Sequence, residues 1–243
     1  METYHKINAL FKRHMSGPKK GKLIMNDWAS PEFGYLAKNE WEFTEKVDGT
    51  NIRVHFHLKG DHHGGKDFKV DFGGRSDNAV IPNPLLWALE GMFGDATAQA
   101  KVQPWMEEHD LTCVTLYGEG YGPKIQSGGN YRSDVSFVLF DVKIGDFWLD
   151  RENVNDVASK LGIDSVPVLG RGTIYDAIDI VTIGLGPSLS GRTTFFGSNS
   201  VKHGLASRWG DFEAEGIVAR PVVPLFNRKG ERVITKIKAV DFR

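Results

Sequence analysis

The sequence predicts an α+β fold built on antiparallel sheets, and three observations support this class. Residues 51–59 alternate apolar and polar side chains, which is the pattern of a half-buried strand. Further strand-like runs are mixed irregularly with helical stretches, whereas a doubly wound parallel sheet requires regular alternation. The 243 residues, of which 40% are hydrophobic and 25% charged, suffice for one large domain with its own core. We therefore expect a single domain over residues 1–243.

Taken in chain order, residues 1–40 are expected to be an irregular lead-in, because Gly17-Pro18 and Ser30-Pro31 interrupt regular structure. The β pattern begins at Glu42. Strands are predicted over residues 51–59, 68–72, 113–117, 137–142, 147–149, 217–219 and 233–240. Helices are predicted over residues 84–92, 96–109, 151–161, 173–183 and 201–209, with Gly162 ending the third. A hairpin turn is predicted at residues 61–66 and a loop at residues 184–200.

Composition excludes several classes of protein. The single cysteine, Cys113, permits no intrachain disulfide, which fits a reducing compartment, and its apolar neighbours predict a core position. No run approaches the ~18 consecutive apolar residues of a membrane span. Residues 1–6 lack the apolar stretch of a signal peptide. We therefore expect a cytoplasmic protein that does not bind membranes.

The net charge of −1 carries no overall basic signature, so a nucleic-acid partner requires a local patch. Such a patch is present near the N-terminus, where five basic residues cluster: Lys12, Arg13, Lys19, Lys20 and Lys22. The cluster fits either a solvated basic loop or a surface that binds a nucleic-acid strand.

The stretch Lys46-Val47-Asp48-Gly49-Thr50-Asn51 provides a candidate nucleophile, Lys46, directly after Glu45. A lysine nucleophile must lose its proton, and the ordinary lysine pKa of about 10.4 is lowered by nearby cations or by desolvation. Gly49 permits a close backbone approach or a sharp turn. The Asp-Gly pair is also favoured in ordinary hairpin turns, which is the alternative.

Two further segments carry candidate nucleotide contacts. Glu119 lies between glycines, so its carboxylate could reach a ribose hydroxyl or a metal ion; a polar loop is the alternative. Phe140 and Asp141 lie in a predicted strand, whose alternation places them on opposite faces. Phe140 offers an aromatic platform for a purine ring, and a core position is the alternative.

The C-terminal third contains a carboxylate and a pair of lysines. Glu215 precedes Gly216 at the start of a predicted strand, where it suits either Mg²⁺ or an exposed strand edge. Lys236 and Lys238 lie in an otherwise apolar strand, so both point to one face, about 6.6 Å apart. Two ammonium groups on one face favour an anion between them, such as a triphosphate. A solvent-facing strand is the alternative.

Four histidines lie near the predicted hairpin turn: His55, His57, His62 and His63. No cysteine accompanies them, and zinc sites have tighter ligand spacing. We expect these histidines to be exposed to solvent rather than to bind a metal.

In this order, the motifs resemble those of the covalent nucleotidyltransferases and, within them, the polynucleotide ligases. The resemblance covers residues from about 42 to 240, and Thr50-Asn51 makes it most similar to the phage-type, nick-sealing RNA ligases. It implies a nucleotidyltransferase (adenylation) domain of antiparallel sheets flanked by helices. It also implies an ATP-dependent RNA ligase that acts in RNA repair. Such an enzyme attaches AMP to Lys46, passes it to a 5′-phosphate and seals that end to a 3′-hydroxyl, with Mg²⁺ or Mn²⁺ offsetting phosphate charge.

The resemblance assigns roles to residues around the nucleophile. Lys46 matches the nucleophile, and Glu45 matches a position used near the adenine. Asn51 would lie by the phosphate or a metal-bound water. Arg75 resembles an arginine that contacts phosphate or the strand, although its spacing from Lys46 is longer than usual.

Roles also follow for the later motifs. Glu119 would bind the ribose, and Phe140 would stack on the adenine. Glu215 would organise the metal ion. Lys236 and Lys238 would hold the α-phosphate and neutralise charge in the transition state.

Five residues follow Lys238 in this sequence, so we expect neither the C-terminal OB-fold domain of DNA ligases nor the helical domain of phage RNA ligases. Candidates for strand contacts are residues 12–22, Arg192, Lys202, His203 and Arg208. We expect a monomer that acts on nucleic acid with 5′-phosphate and 3′-hydroxyl ends. The alternatives are a minimal ATP-dependent DNA ligase, a non-catalytic nucleotide- or nucleic-acid-binding module, and a nucleotidyltransferase that modifies protein or small molecules.

Overall fold

The computed structural model describes residues 2–60, 66–94, 96–126, 130–183, 194–195 and 204–243. Its strands are β1 (Asn8–Ala9), β2 (Phe11–Arg13), β3 (Leu23–Trp28), β4 (Trp41–Glu45), β5 (Thr50–Gly60), β6 (Lys66–Gly73), β7 (Cys113–Tyr121), β8 (Ser136–Ile144), β9 (Phe147–Trp148), β10 (Asp164–Ser165), β11 (Val168–Gly172), β12 (Thr194–Phe195), β13 (Gly216–Pro221) and β14 (Thr235–Lys238). Its helices are α1 (Pro31–Tyr35), α2 (Asn83–Leu89), α3 (Ala96–Glu108), α4 (Arg151–Leu161) and α5 (Ile174–Ile183). A π-helical turn, Glu90–Gly94, follows α2, and a 3₁₀ helix, Ala239–Phe242, follows β14.

The chain forms two compact units. The lysine unit comprises residues 5–47 and 167–243, and the central unit comprises residues 1–4 and 48–166. One border between them falls between Val47 and Asp48, inside the predicted nucleophile motif. The prediction of a single nucleotidyltransferase domain stays a prediction.

The lysine unit contains a sheet with the strand order β1-β14-β13-β4-β11-β12. Its pairs are antiparallel except β1 with β14, which run parallel. Buried side chains of these strands, among them Trp41, Phe43 and Ile217, form a core with Ala177 and Ile180 of α5. Strands β2 and β3 form a separate hairpin.

The central unit contains a second sheet with the order β10-β8-β7-β5-β6, and β9 pairs with β8. Its core confirms the alternation predicted for residues 51–59, since Ile52, Val54, Phe56 and Leu58 are all buried. Burial of each such side chain contributes about 1.5–3 kcal/mol relative to exposure. The polar partners in that alternation therefore occupy the opposite face of the sheet.

The structure confirms both predicted ends of helix α4. The Asp150 side chain accepts a hydrogen bond from the Asn153 backbone N–H at 2.9 Å and caps the first turn. Gly162 ends the helix with φ 70°, in the left-handed region that favours glycine.

Several predicted elements differ from the structure. Residues 1–40 are not irregular throughout, since they contain β1, β2, β3 and α1. The strand predicted over 233–240 is limited to β14, because the chain turns into a 3₁₀ helix after Lys238. Residues 204–209 are not helical; Ala206 instead forms a bridge with Glu213. Cys113 is half-buried rather than a core residue.

Some predictions fall on residues outside the described ranges. These are the turn at 61–65, the loop at 184–200 apart from β12, and the start of the helix at 201–209. The candidates His62, His63, Arg192, Lys202 and His203 lie there as well. Within the described residues, no helix is long and apolar enough to cross a membrane.

Candidate active site

Neighbouring strands of the lysine unit bring Lys46, Glu215 and Lys238 together. Strand β13 lies between β4 and β14, and its first residue, Gly216, pairs with Lys238. The Lys46 backbone N–H donates to the Gly216 carbonyl at 2.9 Å. The end of β4, the start of β13 and the end of β14 therefore meet at one edge of the sheet.

The Glu215 carboxylate bridges two lysines at this edge. Its Oε2 lies 2.6 Å from Lys46 Nζ, and its Oε1 lies 2.5 Å from Lys238 Nζ. The exposed fraction of the side chain is 21% for Lys46, 16% for Glu215 and 32% for Lys238, so all three remain accessible to a ligand. Glu215 thus places a negative charge between Lys46 and Lys238, whereas the anion expected between Lys236 and Lys238 stays a prediction. The prediction of an exposed strand edge is wrong, because both carboxylate oxygens are engaged.

Lys236 and Lys238 share one face of β14, as predicted. Both are half-buried and alternate with the buried residues Thr235 and Ile237. This face is not an ordinary solvent-facing strand, because Lys238 is paired with Glu215.

Gly216 is required by the close approach of β14. Its φ is 150°, and an added Cβ would lie 2.1 Å from the Ile237 carbonyl oxygen. A larger residue at this position would displace the strand that follows Glu215 or the strand that carries Lys238.

Glu45 is buried, with 1% of its surface exposed. Its carboxylate accepts hydrogen bonds from the Ser207 hydroxyl at 2.7 Å and from the Arg208 backbone N–H at 2.8 Å. Burial raises the pKa of Glu45 to about 7, although both hydrogen bonds act to lower it. The contacts with residues 207 and 208 were not predicted, because no local pattern links positions that lie so far apart in the sequence.

The Asp48-Gly49 pair is not a hairpin turn. Strand β4 pairs with β11 and β13, whereas β5 pairs with β6 and β7, so the two strands do not form a hairpin with each other. An added Cβ at Gly49 would lie 2.3 Å from the Gly120 carbonyl oxygen. Glycine is therefore needed here for a close approach between backbones, which is one of the two possibilities predicted.

Asn51 and Glu119 face each other across β5 and β7 in the central unit. The Asn51 Oδ1 atom is buried and has no hydrogen-bond partner within the described part of the chain. A buried acceptor without a partner costs about 1–3 kcal/mol, so a donor from a bound ligand would stabilise this position. A ribose hydroxyl or a metal-bound water has the required chemistry.

The glycines beside Glu119 are required by packing. Added Cβ atoms would lie 2.2 Å from the Phe137 ring at Gly118 and 2.4 Å from Leu85 at Gly120. Glu119 itself lies in β7, so the polar-loop alternative is wrong. The glycines allow the core to approach the strand from one face while Glu119 projects from the other.

A β-bulge in β8 determines the position of Phe140. The pairing partner of Tyr117 is Asp141, whereas that of Gly118 is Leu139, so Phe140 is the extra residue. Bulges re-aim side chains and interrupt strict alternation. Phe140 is half-buried and is not a member of the apolar core, so the core alternative is wrong.

Phe140 and Asp141 both contact Tyr4, which the sequence did not single out. The rings of Tyr4 and Phe140 are 5.0 Å apart in an edge-on arrangement, and the Tyr4 hydroxyl donates to Asp141 Oδ2 at 2.5 Å. The prediction that strand alternation places Phe140 and Asp141 on opposite faces is therefore wrong, and the bulge is the reason.

Arg75 is exposed in the loop after β6, and Arg53 holds that loop. The Arg53 guanidinium is fully buried; its Nε donates to the Gly74 carbonyl at 2.7 Å and its Nη2 to Asp77 at 2.9 Å. Sequence alternation placed Arg53 on the polar face of β5 but gave no indication of this contact.

His55 and His57 are half-buried rather than solvent-exposed. His55 Nδ1 lies 2.6 Å from Thr115 Oγ1, and burial lowers the pKa of His55 to about 4. His57 lies 3.2 Å from Asp71. Within the described residues, no group of three or more histidine, cysteine or acidic side chains is arranged to hold a metal ion.

A family model for RNA ligases matches residues 39–238, a range that contains every motif described above. The chain belongs to the RNA ligase family. Structures of RNA ligase from Naegleria gruberi share the fold of this family member. A variant crystallised with ATP and Mn is 16% identical and gives a TM-score of 0.53, covering 86% of this chain and 52% of that one. The form with pyrophosphate is 15% identical with a TM-score of 0.54, covering 98% and 61%.

This RNA ligase family member therefore spans about half to three fifths of the length of these Naegleria proteins. Their similarity supports the predicted nucleotidyltransferase-type α+β fold. The roles assigned to individual residues, from Glu45 to Lys238, stay predictions.

Proposed function

We propose that this chain is an ATP-dependent RNA ligase that forms a covalent lysyl-AMP intermediate on Lys46. The observation that carries the proposal is the Glu215 carboxylate, which is bonded to the ammonium groups of both Lys46 and Lys238. It fixes a nucleophile beside a second cation, at a position that remains accessible. The Naegleria structures with ATP or AMP and Mn support a nucleotide substrate and a divalent metal.

In the first step, Lys46 Nζ attacks the α-phosphorus of ATP. A P–N bond forms, the bond to the bridging oxygen breaks and pyrophosphate leaves with the electron pair. The Lys46 ammonium must lose two protons in all, one before Nζ attacks and one as the P–N bond forms. Glu215 Oε2 lies within hydrogen-bond distance to accept the first, and the second leaves with pyrophosphate. Lys236 and Lys238 hold the α-phosphate and offset the charge that develops on its oxygens.

In the second step, a 5′-phosphate oxygen of the RNA attacks the same phosphorus, and Lys46 leaves with a proton. In the third step, a 3′-hydroxyl attacks the activated 5′-phosphate; AMP leaves and a phosphodiester forms. Lys46 is restored by the second step, so one ATP is used for each bond sealed.

We assign the nucleoside contacts as follows. Glu119 binds the ribose, with Asn51 Oδ1 accepting from a hydroxyl or a metal-bound water. Phe140 stacks on the adenine. Glu45 acts near the adenine, and its raised pKa makes the carboxyl protonated, and thus a hydrogen-bond donor, below about pH 7.

Glu215 would be the carboxylate ligand of a magnesium or manganese ion that is held mainly by the substrate phosphates. Mg²⁺ is usually bound by one or two carboxylates together with phosphates and water, and Glu215 supplies one carboxylate. When bound, the ion would neutralise charge on the phosphates.

Lys46→Arg tests the nucleophile, since arginine keeps the charge beside Glu215 but does not attack phosphorus. Protein freed of AMP with pyrophosphate is incubated with ATP and Mg²⁺, and intact mass is measured. We expect one added AMP on the wild type and on Lys59→Gln, an exposed lysine used as control, and none on Lys46→Arg. An adduct on Lys46→Arg would identify another nucleophile.

The alternatives have separate outcomes. A wild type that forms no adduct would favour a nucleotide- or nucleic-acid-binding module. An adduct followed by sealing of all-DNA nicks, and not of nicks with RNA, would favour a DNA ligase. An adduct with no sealing of either would favour modification of a protein or small molecule. Cytoplasmic location and a monomeric state remain part of this proposal.

A further inference from the structure

The hairpin of β2 and β3 carries three lysines at its tip. Lys19, Lys20 and Lys22 are all exposed, and none of them has an acidic partner at ion-pair distance among the residues that the structure describes. Three positive charges within four residues stand out in a protein whose net charge is −1.

The two basic residues at the base of the hairpin, in contrast, form ion pairs within the protein. Lys12 pairs with Asp27 at 2.7 Å, across the hairpin. Arg13 binds Asp241 with both terminal nitrogens, at 2.8 and 2.6 Å, and also donates to the Gly21 carbonyl. The basic cluster seen in the sequence therefore divides into a paired base and an unpaired tip.

Backbone hydrogen bonds close the tip into a defined loop. The Gly21 N–H donates to the His14 carbonyl at 2.8 Å, and the His14 N–H donates to the Lys22 carbonyl at 3.0 Å. Two further turns are closed by Lys20 N–H to Gly17 and by Lys22 N–H to Lys19. The lysines are thus displayed from a fixed loop, and less entropy is lost when they bind.

The hairpin is attached to the strand that carries the proposed phosphate-binding lysines. Strand β1, directly before it, pairs with β14, with Ala9 opposite Lys236. The Arg13 fork holds Asp241, three residues after Lys238. The hairpin and the lysines proposed to react therefore belong to the lysine unit, and both are connected to β14 and the residues that follow it.

We propose that Lys19, Lys20 and Lys22 form a binding surface for the phosphate backbone of the nucleic-acid substrate. This inference rests on the proposed function, because it takes the partner to be the strand that receives AMP. Clustered ammonium groups bind phosphates without regard to sequence and release counterions as they do so. The surface would supply the electrostatic attraction for nucleic acid that the small net charge of the whole chain does not provide.

The test compares two triple variants with the same loss of charge. One is Lys19→Gln/Lys20→Gln/Lys22→Gln. The matched control replaces three exposed lysines elsewhere: Lys38, Lys59 and Lys101. Equilibrium binding of a nicked RNA duplex is measured without ATP over a series of salt concentrations, and AMP adduct formation is measured without nucleic acid.

We expect the hairpin variant to bind about 10- to 100-fold more weakly at low salt, with a salt slope smaller by about 2–3, because each lost phosphate contact lowers the slope by about 0.9. Its adduct yield should equal that of the wild type. Replacement of the same three lysines by arginine should keep the wild-type slope. The control triple should bind like the wild type.

Equal affinity and salt slope in the hairpin variant and the control would overturn the proposal. So would unchanged RNA binding together with lost binding to phosphatidylserine vesicles, which would indicate a membrane surface instead. The binding assay needs no adenylylation. A wild type that forms no adduct would therefore contradict the proposed function, while the salt slope would still decide the role of the hairpin.

Discussion

Glu215 determines the electrostatics around Lys46. Its two oxygens each bind one ammonium group, so two cations are held near each other at a position open to solvent. Ion pairs between partly exposed groups contribute little to stability, because water and salt screen them. We therefore attribute the arrangement to the proposed phosphate chemistry rather than to a contribution to the fold.

Glu45 makes stability depend on pH. Burial raises its pKa in the folded state from 4.5 to about 7, so between these values the folded state holds a proton that the unfolded state has lost. The stabilising contribution is complete below about pH 4.5 and is lost as pH rises through 7. We expect the free energy of unfolding of the wild type, relative to Glu45→Gln, to fall by about 3 kcal/mol across this window.

Urea unfolding of the wild type and Glu45→Gln at about pH 4 and about pH 8 measures this difference. Glu40→Gln, which removes an exposed carboxylate, is the control and should leave the pH dependence unchanged. An identical pH dependence in Glu45→Gln and the wild type would show that Glu45 ionises normally.

Arg53 is a second residue whose contribution to stability depends on its burial. Arg53→Lys keeps the charge, but a buried ammonium cannot reproduce the fork to Gly74 and Asp77, so we expect a loss of about 2–3 kcal/mol. Asp77→Asn should cost less than about 1 kcal/mol, because Asp77 is 71% exposed. Chemical denaturation of both variants checks this order; a larger loss for Asp77→Asn would contradict it.

At the scale of elements, the contact between β13 and β14 constrains the sequence most tightly. Gly216→Ala places a methyl group 2.1 Å from the Ile237 carbonyl oxygen. We expect it to lower the free energy of unfolding by more than about 2 kcal/mol and to reduce AMP adduct formation, since the strands that hold Glu215 and Lys238 must separate.

Gly60→Ala is the matched control, because an added Cβ at Gly60 meets nothing within 4 Å. Its effect on stability should lie within about 0.5 kcal/mol of the wild type. If Gly216→Ala were equally stable and equally active, the close approach of the two strands would not be needed for the site.

The bulge in β8 shows how one extra residue changes a functional face. Without it, strict alternation would place Phe140 and Asp141 on opposite sides of the sheet. With it, both contact Tyr4, whose ring also lies 5.1 Å from that of Tyr117. Tyr4 therefore links the residue proposed to stack on the adenine to Tyr117.

At the scale of the whole molecule, the described residues form two hydrophobic cores, one in each unit. The proposed reactive lysines and their carboxylate lie in the lysine unit, whereas Asn51, Glu119 and Phe140 lie in the central unit. Because the net charge is only −1, attraction of a polyanion must come from a local surface, and within the described residues the hairpin of β2 and β3 provides a cluster of exposed lysines that meets this condition.

The sequence by itself determined the fold class, most of the helices, the strands β5 to β9, β13 and β14, and a candidate nucleophile. These depend on local signals: the alternation around Val54, the glycine at 162, the motif that begins at Lys46 and the lysine pair at 236 and 238. Such signals are encoded by neighbouring residues, so they can be recognised in the sequence alone.

Only the tertiary structure decided which of these residues meet. It placed Glu215 between Lys46 and Lys238, provided Ser207 as a partner for Glu45, and shifted Phe140 by a bulge. It also separated the paired base of the N-terminal hairpin from its unpaired tip. The physical reason is that pairing register, burial and ion-pair choice depend on residues far apart in the chain, and a local pattern carries no information about them.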